Sequence, residues 1–304
     1  MSKDDSSNRY ETARSANQQL TFDESEAYFK KKNVGFGDEQ KQTLNLKNRS
    51  GAYTNLALLI SDQCTCMIKL GVFEGTDSPT LKERHGFKGS ILKQLEDVYA
   101  FIDRCNGTTA VYQGLDRVGK RDYPDVAIRE SLLNAIVHRA YDLIPSTLIS
   151  IFDDRMEIIT IGGLMSGVAL GDIMLGVSAL RNPNLAELFT RLKLIEAHGT
   201  GMQRIFESYQ GLSVKPGIVY SDNAFKITLP NTNHYSNKEN TKNSLNEREI
   251  KVISLLESSP SITRKDIEQA LEISQATAII LLREMTEKRL LIKTGQGKNV
   301  KYTK

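Results

Sequence analysis

Cysteine is scarce. Cys64, Cys66 and Cys105 are the only three in 304 residues, an odd number that does not suit a disulfide framework. Cys64 and Cys66 alternate along "CTCMIKLGVF", which reads as a strand, and are expected to be partly buried free thiols. Zinc needs about four ligands, and no second cysteine or histidine pair stands at suitable spacing. Long apolar runs are missing as well, and the N-terminus "MSKDDSSNRYETARSANQQ" has no apolar signal core. A cytoplasmic protein with no membrane partner is therefore expected. An excess of one charge is also lacking, since a net +3 is too small to argue nucleic-acid binding for the chain as a whole. A helicase motor would need a phosphate loop, G-x-x-x-x-G-K followed by Ser or Thr. The nearest segment, "GQGKNVK", has Gly297 and Lys298, but Ile292 stands where the first glycine must be and Asn299 follows the lysine. The chain is not a motor by itself.

What is present is an ordinary composition, 39% hydrophobic and 25% charged, in a chain long enough for two or three domains. Charge is unevenly spread: from Asn231 onward there are 13 basic and 9 acidic residues, and the last 24 residues hold seven basic and two acidic ones. A basic end on a near-neutral body outlines a tethered nucleic-acid-binding module, although a solvated tail gives the same count. Six asparagines fall in the sixteen residues "NTNHYSNKENTKNSLN", a composition expected to form a linker rather than a core. The expected organisation is an α+β protein with an N-terminal α/β region over 1–115, a body over 116–230, a linker over 231–245 and a C-terminal module over 246–304.

The stretch "YPDVAIRESLLNAIVHRAYD", Tyr123 to Asp142, reads as one helix. Pro124 suits its first position, and Asp122 or Asp125 can serve the free amides of its first turn. Glu130, Asn134 and His138 recur every four residues and so stack along one face of an otherwise apolar helix. Something polar should lie opposite. Next come "STLISIFDD" and "RMEIITIGG", alternating patterns around an Asp153-Asp154-Arg155 turn that read as a hairpin. Glycines follow at Gly162 and Gly163, and again at Gly199 and Gly201 in "HGTGMQRIFESY", where another helix begins. Taken singly, a Gly-x-Gly at a helix start is most often only a turn.

The ordered set "ESLLNAIVHR", "IGGL" and "GTGM" resembles the ATP-binding GHKL fold shared by gyrase, heat-shock chaperones, sensor histidine kinases and MutL. More closely, "YPDVAIRESLLNAIVHRAYD", "DDRMEI", "GGL", "RNPN" and "EAHGTGMQRI", in that order, resemble a group of bacterial and archaeal transcriptional regulators and RecG-related ATP-dependent helicases. The likeness covers roughly residues 53–230. Members of that group begin with a Schlafen-like divergent AAA module, and "SNRYETARSA" is similar to its last strand and turn, so most of that module is expected to be absent from this chain. The resemblance implies a GHKL-like α/β sandwich in which Glu130 is the general base that orients water, and Asn134 coordinates a Mg ion bridging the phosphates of ATP or another nucleotide. It places His138, Thr160, Gly162, Gly163, Gly199 and Gly201 around that nucleotide. A spacing of four puts Glu130 and Asn134 on one helical face, as the chemistry requires. One position departs from the wider fold: Thr160 stands where an aspartate would read the adenine amino group, and a neutral acceptor makes a hydrogen bond about half as strong as a charged one. A degenerate pocket with at most weak ATPase activity is expected. The competing expectation is a buried polar network of Glu130, Asn134, His138 and Arg139 with no nucleotide at all.

The C-terminal module, "LNEREIKVISLLESSPSITRKDIEQALEISQATAIILLREMTEKRLLIKTGQGKNVKYTK", parses into three helices and a hairpin. It resembles the winged helix-turn-helix domains of bacterial regulators, with Thr263 or Ser261 capping the second helix and Ser274 the third. That likeness implies double-stranded DNA as partner: Gln275 and Thr277 facing bases, Ser274 and Thr263 reaching phosphates, and Lys293, Lys298 and Lys301 of the wing setting affinity. Winged helices also serve as protein-docking modules, and the run Ile279 to Leu282 is more apolar than one small core requires. Paired half-sites favour a homodimer. The expected function is that of a DNA-binding transcriptional regulator with a degenerate nucleotide pocket acting as sensor or dimerisation body. The alternative is a GHKL-type ATPase targeted to DNA by its winged helix.

Overall fold

A computed structural model describes residues 10–76, 79–113, 116–196, 199–234, 246–287, 290–295 and 300–303. The chain divides into two compact units, Met1–Tyr235 and Ser236–Lys304.

In the first unit, residues 10–12 form a helical turn and Arg14 bridges Thr54, so among the described residues only that bridge corresponds to the strand expected in "SNRYETARSA". Three short helices follow, α1 (Asp23–Lys31), α2 (Asp38–Thr43) and α3 (Asn55–Ile60), joined by a core that includes Phe29, Leu46, Leu56 and Ile60. Then come β1 (Ile68–Glu74), β2 (Thr80–Phe87), α4 (Ile91–Cys105), β3 (Thr108–Gln113), β4 (Asp116–Arg121) and α5 (Asp125–Val137). The remainder is β5 (Thr147–Ile151), β6 (Arg155–Ile161), α6 (Leu170–Met174), α7 (Pro183–Arg191), α8 (Gly201–Glu207), β7 (Gly217–Tyr220) and β8 (Ala224–Pro230).

Six strands form one mixed sheet in the order β2-β1-β5-β6-β8-β7. Only β1 and β5 run parallel; the other neighbours are antiparallel. Along β6 every second residue, Met156, Ile158 and Thr160, is buried while those between are half-buried. This period of two is that of a sheet covered on one face. The cover is α5, which packs on β6 and β8 and is itself flanked by α4 and α8. Because α5 has neighbours on several sides, residues all round it are buried, Ile128 and Leu132 as well as Glu130 and Ser131. Each fully buried Leu or Ile contributes about 1.5–3 kcal/mol, so this helix anchors the unit.

Several expectations are corrected. Cys64 and Cys66 lie in a loop before β1, because the strand begins only at Ile68. A break at residue 115 separates nothing: β1 and β2 belong to the same sheet as β5 to β8, and residues 1–235 form one unit. The stretch expected to form a linker over 231–245 begins with packed residues, because Thr232 and Asn233 are buried, and its remainder from 235 on lies outside the described residues. Asparagine packs here through hydrogen bonds rather than apolar area: Asn233 Nδ2 donates to Lys120 O (2.9 Å) and Asp122 Oδ1 (2.8 Å). Helix α5 has Pro124 as its N-cap rather than its first helical residue, with no side-chain cap bond. It ends at Val137, well short of Asp142, since Asn182 and Tyr141 take over its last carbonyls.

The second unit consists of α9 (Glu247–Ser258), α10 (Arg264–Leu271), α11 (Gln275–Glu287) and an antiparallel pair β9 (Ile292–Thr294) and β10 (Lys301–Thr303). Asn246 caps α9 in a reciprocal box with Glu249, and Glu272 adopts φ 52° to close α10. Val252, Ile267, Leu281, Leu282 and Met285 make a separate core. Ile262 pairs with Tyr302, tying the hairpin to the start of α10.

Candidate functional site

The last turn of an α-helix leaves carbonyls that need outside donors. In α5 three side chains from three segments supply them. Thr160 Oγ1 donates to Ala135 O (2.8 Å), Tyr141 Oη to Ile136 O (3.0 Å), and Asn182 Nδ2 to both Val137 O and Arg139 O (2.7 Å each). These bonds fix the "RNPN" segment and β6 against the end of α5, and a cavity of about 430 Å³ lies between them. The size is in the usual range for small-molecule sites.

Glu130, Asn134, His138, Thr160, Gly162, Gly163, Gly199 and Gly201 all line this cavity. The polar stripe of α5 therefore faces it. Glu130 is buried. Its Oε1 is paired with Arg129 Nη1 and lies 3.8 Å from Arg204 Nη1, while Arg204 also binds Glu196. Asn134 Nδ2 points at Met202 Sδ (3.5 Å). Burial, followed by the neighbouring Arg181 charge, pushes the His138 imidazole down to about 4, so it is neutral at pH 7. Thr160 has already spent its hydroxyl proton on Ala135 and can meet a ligand only as an acceptor.

The glycines are demanded first by protein atoms. A Cβ at Gly163 would lie 2.2 Å from Ser221 O, so the turn between β7 and β8 already requires a glycine there. At Gly201 a Cβ would stand 3.0 Å from Glu130 Oε2 and 3.4 Å from Asn134 Nδ2, which is what allows the start of α8 to sit against the polar stripe. Arg204, Arg181, Arg129 and Asn182 were not singled out as site residues from the sequence. The polar residues inside "RNPN" and the arginine after "GTGMQ" were the available signals. The segment between the two glycine turns is not all loop. Leu185, Leu188 and Phe189 of α7 are in the core, and Ala197 lies outside the described residues. Among the described residues no three His, Cys, Asp or Glu are placed to hold a metal ion, and no helix is long and apolar enough to cross a membrane.

In the second unit the hydroxyls expected to contact DNA serve as caps. Thr263 Oγ1 donates to Asp266 Oδ2 (2.8 Å), and Ser274 Oγ accepts from Thr277 N (3.3 Å) and lies 2.9 Å from Thr277 Oγ1. Gln275 is exposed in the first turn of α11, and Lys293 and Lys301 are exposed on the hairpin. Lys298 lies outside the described residues. The apolar run of α11 divides: Leu281 and Leu282 are buried, while Ile279 and Ile280 are 48% and 52% exposed.

Residues 146–229 match the ATPase-like family described as "Putative ATP-dependent DNA helicase recG C-terminal". The matched segment runs from β5 to β8 and carries Thr160 and the four glycines, but not Glu130, Asn134 or His138. No curated protein matches the chain. Among solved structures, the DIP2311 protein from Corynebacterium diphtheriae is similar over 100% of this chain and 67% of its own, with a TM-score of 0.63 and 19% identity. At that identity the likeness is one of fold.

Proposed function

We propose that this chain is a DNA-binding transcriptional regulator in which the first unit holds a GHKL-type nucleotide pocket and the second is a winged helix-turn-helix. One observation carries the reading: Glu130 and Asn134 of α5 and both glycine turns, far apart in sequence, line a single cavity in the unit that contains the ATPase-like match. Where a triphosphate binds with Mg, Asn134 is the side chain suited to hold the ion, which would neutralise phosphate charge. The helix register and the amide at that position fit this role, and further ligands would come from the phosphates.

The pocket favours sensing over turnover. Glu130 Oε1 is taken by Arg129 and Arg204, so only Oε2 is left to orient a water. Thr160 offers a neutral acceptor where a carboxylate would discriminate adenine, a loss on the order of 1.5–3 kcal/mol, roughly ten- to a hundredfold in affinity. The expected result is weak, base-tolerant binding. Calorimetric titration with ATP, GTP, CTP and UTP, on wild type and Glu130→Gln, tests it. Tight adenine-selective binding, or no heat with any nucleotide, would overturn the pocket reading, and turnover abolished by Glu130→Gln would favour the ATPase alternative.

For the second unit, exposed Gln275 at the start of α11 supports base reading, and Lys293 and Lys301 support phosphate contact. Exposed Ile279 and Ile280 favour a second role for the same helix, the homodimer contact that paired half-sites need.

A further inference from the structure

Arg139, the residue after His138, is buried at 3% exposure. Two of its nitrogen atoms donate, to Thr147 Oγ1 (3.0 Å) and Pro145 O, and its guanidinium lies over the Tyr141 ring at 5.5 Å. Its Nε has no hydrogen-bond partner, and among the described residues no carboxylate comes within salt-bridge distance. A buried guanidinium without a counter-anion is costly. The groups facing it are Tyr141, Tyr10 stacked on Tyr141 at 6.2 Å, and the sulfurs of Cys64 and Cys66, with Asp142 beyond Tyr10. Burial pushes both tyrosine hydroxyls up, so neither becomes the missing anion.

The cysteine loop is held firmly. Buried Gln94 donates to Cys66 O (2.9 Å) and Gly89 O (2.7 Å) and accepts from Ile68 N (3.1 Å). Cys64 Sγ folds back to 3.9 Å from Cys66 O. Cys64 is buried, whereas Cys66 is half-buried and open to small reagents. We propose that Cys66 is a reactive thiolate paired with Arg139, a modification site for hydroperoxides and other soft electrophiles, with Cys64 as the thiol that closes a Cys64–Cys66 disulfide.

The direction of titration agrees. A hydrogen bond from Cys64 and then the Arg139 charge lower the Cys66 thiol against the opposing effect of burial, while Cys64 is pushed up by its hydrogen bond to Cys66 and by burial. Cys66 is then the nucleophile and Cys64 stays protonated. The Cys66 sulfur attacks one peroxide oxygen, the O–O bond breaks and the other oxygen leaves as hydroxide. Sulfur is oxidised to the sulfenic acid and the peroxide is reduced. Cys64 then attacks that sulfur, the S–O bond breaks, and hydroxide departs with the Cys64 proton as water.

Cys105 is the internal control, since burial pushes its thiol up and no cysteine or buried arginine flanks it. The reduced full chain is alkylated with iodoacetamide at a series of pH values and each cysteine peptide is quantified by mass. A thiol half ionised at pH 7 carries about sixteen times the thiolate of an ordinary one with a pKa of about 8.5, and its weaker intrinsic nucleophilicity reduces this to roughly three- to fourfold. Cys66 should exceed Cys105 by at least that factor at pH 7, with a midpoint below that of Cys105. Hydrogen peroxide should remove two hydrogens from the peptide carrying Cys64 and Cys66. In Cys64→Ser the sulfenic acid should persist and react with dimedone. Arg139→Gln should abolish the Cys66 advantage. Should that variant unfold, Cys64→Ser decides, because it keeps the guanidinium: its Cys66 midpoint should rise yet stay below that of Cys105. Cys66 labelling no faster than Cys105 in the wild type, or peroxide leaving the pair unchanged, would overturn the proposal. None of these readouts depends on nucleotide binding.

Discussion

Asn182 is the sharpest point at which to test how the pocket is built. Its side chain is 2% exposed and its Nδ2 serves Val137 O and Arg139 O, both at 2.7 Å. Asn182→Ala would strand two buried carbonyls at the end of α5. Leaving a buried acceptor unsatisfied costs about 1–3 kcal/mol, and water entering the space recovers part of it, so a loss of about 2–4 kcal/mol is expected. Asn184, two residues on in the same motif, is the control: it is half-buried, its amide reaches Glu11 at 3.3 Å and its Oδ1 accepts from exposed Asn45 at 3.0 Å, and because the Asn184 and Leu185 backbone amides still serve Glu11, Asn184→Ala should cost less, about 1 kcal/mol. Urea unfolding followed by tyrosine fluorescence reads the correct unit, because ten of the eleven tyrosines lie before residue 236 and there is no tryptophan. Equal costs for the two asparagines, or less than about 1 kcal/mol for Asn182, would refute the view that side-chain capping of α5 holds the cavity wall.

His138 makes the first unit acid-sensitive. Its folded pKa, about 4, lies below the free value of about 6.5, so the unfolded chain takes up the proton first. Stability is full above about pH 6.5 and falls as pH drops toward 4, by about 2 kcal/mol between pH 7 and 5. His138→Gln should remove that share of the pH dependence of the urea midpoint, and an unchanged slope would count against it. For DNA, Lys293→Ala with Lys301→Ala should weaken binding to all duplexes alike and flatten its salt dependence, whereas Gln275→Ala should change preference among sequences. Sedimentation of the intact chain with and without duplex tests the dimer, and equal losses from both sets of variants would undo the division of roles.

What was legible in the sequence was local. The period-four stripe of Glu130, Asn134 and His138, the alternation on either side of Asp153-Asp154-Arg155 and the three C-terminal helices all lie within windows of fewer than twenty residues, where periodicity speaks directly. The pairing of β1 with β5 was not legible. It joins Ile68 to Thr147 in parallel across two helices and three other strands, and nothing in either segment names its neighbour. The pair β3 and β4 also escaped, because Asp116–Arg121 is mostly charged and largely exposed and carries almost no alternating apolar signal. The partners of the stripe escaped for the first reason: Arg204 and Asn182 acquire their roles only when separate segments meet.

The motif residues separate into two groups once their partners are known. Thr160, Asn182 and Gly163 have their demands met within the protein, by the Ala135 carbonyl, the Val137 and Arg139 carbonyls and the backbone at Ser221. Their presence follows from folding alone and says little about a ligand. Glu130 Oε2 and Asn134 Oδ1 differ: they line the cavity and accept no hydrogen bond among the described residues. Polar capacity left over inside a largely apolar pocket is unfavourable unless water or a ligand takes it up. Substitutions should divide the same way, with Thr160→Val and Asn182→Ala changing the urea midpoint and Glu130→Gln and Asn134→Ala changing ligand affinity more than stability. A nucleotide pocket requires that division, whereas a buried polar network with no ligand would make all four changes read mainly as stability.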